Sequence, residues 1–175
     1  MKEKVMDQDL KESLECMYAI CDEVEKTLGA KLHLRYPLKT LLKTEWMVFI
    51  MHLSFSDLKI HPEEKGFLYD SLGFRFSDEE MEAFMAETDL EHFATTIPYT
   101  LQVFVQADNH LFSKYGKISL AATALYEVYE TLGLAAVSVD GEINIQEYND
   151  LFSYLRMLST YMNRNLLSLQ NHQTQ

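Results

Sequence analysis

Apolar residues recur along most of this chain at the three-and-four spacing of an α-helix, and over no useful length at the alternation of a strand. Leu10, Leu14, Met17, Cys21, Val24 and Leu28 step by four and three with charged residues between them. That seam predicts a long amphipathic helix over 3–29, stopped by Gly29. It reads first as a helix laid on the domain core. The alternative is a homodimer contact through residues 10–28, for which about three heptads is short. Pro37 suits the first turn of a helix over 37–54. Leu38, Leu41, Leu42, Trp46, Phe49, Ile50 and Leu53 cover much of that helix's circumference, which predicts burial.

Pro62 opens a further helix to about Leu72, ended by Gly73. Ser77 and Glu80 have the spacing of a capping box and start a helix over 78–87. The next helix is predicted over 89–107, with Ile97, Leu101, Phe104 and Val105 inward. Pro98 marks a kink or restart in it, and Asp108-Asn109-His110 its end. A helix over 119–139 carries Leu125, Val128, Leu132, Ala135 and Val139 on one stripe. The last, over 145–167, carries Tyr148, Leu151, Leu155, Leu158 and Met162. The expectation is an all-α, single-domain bundle of about seven helices. Residues 1–30 form the heptad-patterned helix, 37–167 the helical domain and 168–175 a frayed polar tail.

Two of the predicted helix junctions share a frame. In Asp57–Glu64 and again in Asp140–Glu147, an Asp precedes an Ile by three residues and a Glu by seven. The second junction matches the back half of an EF-hand loop, with Asp140, Gly141, Ile143 and Glu147 in ligand, turn, anchor and bidentate positions. Ala136 and Ser138 stand where that loop needs its first carboxylates, and Leu53 and Phe55 do so at the first junction. Neither reads as a true calcium loop. Every conspicuous residue also has an architectural role. Asn144 with Glu147 is a capping-box-like start, a Glu in a first turn suits the helix dipole, and Asp140-Gly141 is a turn pair.

The repeated helix–acidic turn–helix frame, Asp57, Ile60 and Glu64 followed by Asp140, Gly141, Ile143 and Glu147, resembles the tellurite-resistance TerB-like helical domain. The segment Ile97–Asp108 is similar to the version at the front of some Firmicutes AAA+ ATPases. The resemblance covers about residues 37–165 and departs from the pattern where Leu58 replaces the usual glycine. It implies a non-enzymatic bacterial module tied to stress response or a membrane-linked complex. It also implies a divalent-metal site at Asp57, Glu64, Asp140 and Glu147, and a protein partner.

Composition narrows the classes. The chain has 175 residues, 47% of them apolar, and a net charge of −12. That length supports one core, and that charge argues against a nucleic acid or an anionic membrane as partner. No apolar run reaches the ~20 residues that cross a bilayer, and the N-terminus lacks a signal-like apolar region, so a cytoplasmic location is expected. Cys16 and Cys21 lie about 140° apart around a helix and are not expected to pair.

The sequence contains no Gly-x-Ser-x-Gly, paired-cysteine, Walker or Rossmann motif, so no catalytic residue and no cofactor beyond a divalent metal is expected. His52, His61, Glu63, Glu64 and Asp57 crowd one connection, but histidines nine apart are not a recognised ligand spacing. Tyr126, Tyr129, Tyr148, Tyr154 and Tyr161 fall on the last two helices, as core or as groove lining. Two other functions remain open on the sequence. One is an acidic immunity protein neutralising a toxin; the other is an enzyme using the acidic turns as a metal site.

Overall fold

The computed structural model describes residues 2–29, 32, 34–54, 62–139, 141 and 144–170, with side chains from Gln8 onward. Among the described residues there are eight helices and a closing single turn, and no strand. They are α1 (Lys2–Leu28), α2 (Leu38–Ser54), α3 (Pro62–Leu72), α4 (Asp78–Glu87), α5 (Leu90–Thr95), α6 (Tyr99–Tyr115), α7 (Ala121–Ala136), α8 (Ile145–Asn165) and α9 (Leu167–Gln170). The all-α bundle follows from the helical period of the sequence.

Helix α2 is the axis. Leu38, Leu42, Trp46, Phe49, Ile50 and Leu53 are fully buried, and α1, α3, α5, α6, α7 and α8 all pack on it. Helix α7 is the second central element, touching α1, α2, α6 and α8. It comes close enough that a methyl group on Gly133 would run into Leu151 and Phe49, so this crossing needs a residue without a side chain. Between α2, α7 and α8 runs a continuous aromatic stack. Trp46 and Phe49 meet Tyr129 edge-on at 6.4 and 5.2 Å, Phe49 stacks on Tyr154 at 4.9 Å, and Phe93 covers Tyr154 from α5 at 5.5 Å. Rings of this size bury large apolar areas and add edge and offset contacts of about 1 kcal/mol each.

The seam of α1 faces this core. Leu10, Leu14, Met17, Cys21, Val24 and Leu28 are all buried within the single chain. A dimer contact using those six side chains would have to open the bundle.

Three boundaries differ from the sequence expectation; the simplest is the helix expected over 119–139, which stops at Ala136, so that Val139 lies in the turn after it rather than on its stripe. The expected helix over 89–107 is two helices, because Pro98 restarts the chain rather than kinking it, and Thr96 leaves α5 in an extended conformation. The restarted helix then runs through Asp108-Asn109-His110, which does not end it, and stops at Gly116 with φ +63°. Asp108 is no breaker there, since it falls on the inward stripe of Leu101, Phe104 and Val105 and is itself buried.

Candidate functional site

The second junction is a break between helices, since α7 stops at Ala136 and a turn follows over 137–139 before α8 opens at Ile145; at the first, α2 is described to Ser54 and α3 from Pro62, and 55–61 lie outside the described residues. After Ala136 the chain makes a tight turn. Gly141, at φ +76°, donates its N–H to the Ser138 carbonyl at 3.3 Å. Of the four expected metal ligands, Glu64 and Glu147 are described. Both sit in first turns, of α3 and α8, and both are buried, at 4% and 6% exposure. Asp57 and Asp140, with Ile60, His61 and Ile143, lie outside the described residues.

Glu147 is engaged by its own helix start, where Asn144 Nδ2 donates to Glu147 Oε1 at 2.9 Å. Asn144 Oδ1 in turn accepts from the Gln146 N–H at 3.0 Å, so the cap closes one residue earlier than a capping box. Among the described residues, no group of three or more His, Cys, Asp or Glu side chains is arranged to hold a metal ion. The two glutamates alone fall short of the six or so oxygens a hard cation takes. Neither His52 nor Glu63 joins them. His52 is half-buried on α2, where loss of water pushes its pKa down against the pull of Asp150, and Glu63 is exposed.

The carboxylates with the most developed surroundings are elsewhere. Helices α2, α6 and α7 begin at Leu38, Tyr99 and Ala121, behind Pro37, Pro98 and Leu120. Neither Pro98 nor Leu120 supplies a side-chain cap. Each of these helices takes its cap from another one. Glu25 on α1 accepts from the Leu38 N–H. Glu45 on α2 accepts from the N–H groups of Tyr99, at 2.8 Å, and Thr100, at 3.3 Å, and from the Thr100 hydroxyl. Asp108 on α6 accepts from the Ala122 N–H at 2.9 Å. Beside Asp108, Asn109 ties down the chain's last turn, donating to the Asn165 carbonyl at 2.8 Å and accepting from the Leu167 N–H at 2.9 Å.

Glu45 is the most perturbed of these groups. Part of the residue reaches solvent, but its carboxyl end is enclosed by protein, and desolvation pushes its pKa up to about 7 against the pull of its three donors. Tyr129 and Tyr154 feel its charge, and both phenols are raised, chiefly by burial. Neither phenol oxygen has a partner in hydrogen-bond geometry. A carboxyl group near neutrality beside a threonine and two phenols has the composition of a proton-handling site. None of the three surface depressions described next is lined by Glu45, Thr100, Tyr129 or Tyr154. The cluster acts as an internal brace that joins α2, α6, α7 and α8.

The concave surfaces lie on the outside. An apolar pocket of about 350 Å³ sits between α1, α6 and α7, lined by Ile20, Val24, Ala107, Leu111, Leu120 and Ala124 among others. Beside it, the last residue of α6, Tyr115, is exposed by 56%, and the connection over 116–120 exposes Ile118 by 59% and Leu120 by 65%. A neighbouring groove of about 620 Å³ between α1 and α7 carries Asp9, Glu12 and Glu127. Cys16 is exposed beside it and Cys21 is buried. Both are free thiols, and burial pushes Cys21 up to about 12, away from reactivity. A separate groove of about 520 Å³ runs along α8, lined by Ile97, Met157, Tyr161, Arg156 and Arg164 together with small polar residues.

The tyrosines divide accordingly, with Tyr129 and Tyr154 in the core and Tyr161 on the α8 groove. Sequence reasoning passes over Glu45 and the arginine pair and takes Asp108 for part of a helix end. A usable signal was present for Glu45 and Asp108: a lone acidic residue on an otherwise inward apolar stripe. No family model, curated protein or solved structure matches this chain.

Proposed function

We propose that the chain is a non-enzymatic, partner-binding helical module, of the TerB-like kind that its two acidic junctions resemble. It acts in the cytoplasm of a bacterium as an adaptor in a stress-response or membrane-linked assembly. The observation that carries this reading is the apolar pocket between α1, α6 and α7, with Tyr115 exposed at the end of α6 and Ile118 and Leu120 exposed on the connection beside it. Large apolar side chains left in water next to an apolar concavity mark a protein contact, in which a partner's side chain fills the pocket and the rim residues shed water. Among the described residues no helix is long and apolar enough to cross a membrane, so contact with a membrane complex is assigned to the partner.

The test places a photo-crosslinking amino acid at Ile118 in cells of the source organism. The expected result is one dominant adduct that disappears in the Leu120→Glu variant while the helical signal and melting temperature stay unchanged. Adducts that are absent, or that are indifferent to Leu120, overturn the reading.

A second reading is favoured by the α1–α7 groove. Asp9, Glu12 and Glu127 line one concavity of a chain whose net charge is −12, as suits an acidic immunity protein docking a basic toxin. Association of such a pair is steered and slows steeply with salt. Charge reversal at Glu12 and Glu127 would then slow capture of the toxin and leave the Leu120 variant's behaviour unchanged.

A further inference from the structure

The cations of this chain are unevenly placed. After Lys117 the sequence contains no lysine, and its last two arginines, Arg156 and Arg164, both line the α8 groove. The other two arginines are occupied: Arg35 lies over Tyr36 at 5.7 Å and Arg75 over Tyr69 at 4.0 Å. Arg156 and Arg164 have no ion pair, ring contact or side-chain hydrogen bond among the described residues. Unpaired guanidinium groups on a protein of charge −12 stand out, since carboxylates are plentiful enough to pair them.

The groove between them is neither polar nor compact. Ile97, Met157 and Tyr161 give it an apolar floor, and Ser153, Thr160 and Asn165 its polar edge. The two arginines are eight residues apart on one helix, so their Cα atoms are about 12 Å apart. That distance is too long for one carboxylate or one phosphate to bridge at the backbone. It fits an elongated ligand with an anionic group towards each end and apolar groups between. A polyanionic surface is disfavoured, because charges spread over many tens of ångströms meet the repulsion of the whole molecule, whereas two contact charges are felt inside the ~8 Å screening length.

We infer that the α8 groove binds an acidic amphipathic helical segment of a partner protein, its carboxylates seven or eight residues apart pairing with Arg156 and Arg164 and its apolar residues between them resting on Ile97, Met157 and Tyr161. Helix-in-groove recognition uses this spacing, with anchors three and four residues after the first charge. Arginine is suited to the task because its planar fork meets a carboxylate through two hydrogen bonds. The groove shares no lining residue with the α1–α6–α7 pocket and does not depend on it. A module with both surfaces joins two partners.

The probe is a synthetic fluorescein-labelled helical peptide with two Glu residues seven apart and Leu residues three and four after the first. Its control has both Glu replaced by Lys. Anisotropy of the full chain with each peptide is measured at low and physiological salt. The expected result is binding of the Glu peptide at least tenfold tighter than of the Lys peptide. It should weaken at least tenfold in Arg156→Glu/Arg164→Glu, be partly retained in Arg156→Lys/Arg164→Lys, and be unchanged in Leu120→Glu. Both arginines are exposed, so these variants should melt like the parent. Equal binding of the two peptides, or binding indifferent to the arginine pair, overturns the inference. So does full competition by millimolar inorganic phosphate, which would reveal a plain anion site. Sedimentation showing that the parent chain self-associates through the arginine pair would assign the groove to a second copy instead, and also overturns it.

Discussion

Helices α4, α5 and α8 cap themselves, whereas α2, α6 and α7 are capped by carboxylates borrowed from other helices. Ser77 Oγ accepts the Glu80 N–H at 3.2 Å while Glu80 returns a bond to the Ser77 N–H at 2.8 Å. Asp89 accepts from His92 at 2.8 Å, and Asn144 from Gln146. These bonds close within two or three residues and are exposed. Glu25, Glu45 and Asp108 close theirs over 13, 54 and 14 residues. The chemistry is the same, an oxygen satisfying orphan N–H groups at a positive helix end. The consequences differ: a local cap defines where a helix begins, and a borrowed one also defines where two helices sit relative to each other. The borrowed caps hold α2, α6 and α7, the elements at the centre of the bundle.

The largest effect expected from this difference is at Glu45. Glu45→Ala leaves the Thr100 N–H and hydroxyl without an acceptor in a residue that is fully buried, and opens space beside Tyr129 and Tyr154. Unsatisfied buried donors cost about 1–3 kcal/mol each, so a loss of about 3 kcal/mol is expected in urea unfolding. A loss under about 1 kcal/mol would mean that Glu45 does no more than a surface cap.

The same residue sets a pH dependence. With its pKa raised from 4.5 to about 7 in the folded chain, Glu45 holds its proton more tightly folded than unfolded. Its contribution is therefore most favourable at low pH. Stability should fall as pH rises from about 4.5 through about 7 and then level off. At 1.36 kcal/mol per unit, the drop is of order 3 kcal/mol. Protonation removes the buried charge and still leaves a carbonyl oxygen to accept from α6. In Glu45→Gln this limb of the pH curve should vanish. A parent whose stability is flat between pH 5 and 7.5, measured against Glu45→Gln, would place the carboxyl group in a wetter setting than its surroundings indicate.

Asp108 comes next. Its Oδ2 holds the Ala122 N–H, and Ala122 is fully buried, whereas its Oδ1 is buried without a partner. Asp108→Ala is expected to lose about 2 kcal/mol, less than Glu45→Ala because one N–H is orphaned rather than several groups. Hydrogen exchange should show where the loss falls. Protection should drop in the first turn of α7 and also across α6, because the bond spans both. A drop confined to α7 would reduce Asp108 to a local cap at a distance.

What the sequence disclosed follows the same division. The capping box at Ser77 is written in residues three apart, and α4 begins where it says. Pro62, Gly73 and the stripe of α1 are local signals of the same sort, and all three mark what they were expected to mark. Asp108 was read as a helix end because an Asp-Asn pair has turn character when only its neighbours are considered. Its partner Ala122 lies on another helix, and no spacing rule links the two. Glu45 escapes the local rules for the same reason, although a single carboxylate between Leu42 and Trp46 on a helix buried over much of its circumference has to find donors somewhere. The acidic junctions drew attention through a short repeated frame. The two glutamates described there, Glu64 and Glu147, are buried first-turn residues, and Glu147 is tied to Asn144. The arginine groove had no local signature at all, being visible only once Ile97 and α8 were brought together.

The smallest effect sharpens the comparison most, because it is the control. Ser77→Ala removes one exposed cap bond, and the reciprocal bond from the Ser77 N–H to Glu80 survives it. Caps of this kind are worth about 1 kcal/mol, and here solvent stands ready to replace the lost oxygen, so a loss of about 0.5–1 kcal/mol is expected. The change should fray the first turn of α4 and leave the exchange protection of α2, α6 and α7 untouched. In a double variant with Glu45→Ala, the two losses should add, since the sites share no partner. Borrowed and local caps would then be separable energetically as well as geometrically. A coupling above about 0.5 kcal/mol would instead show that α4 is held by the same brace as the central helices, and the division between the two kinds of cap would not survive it.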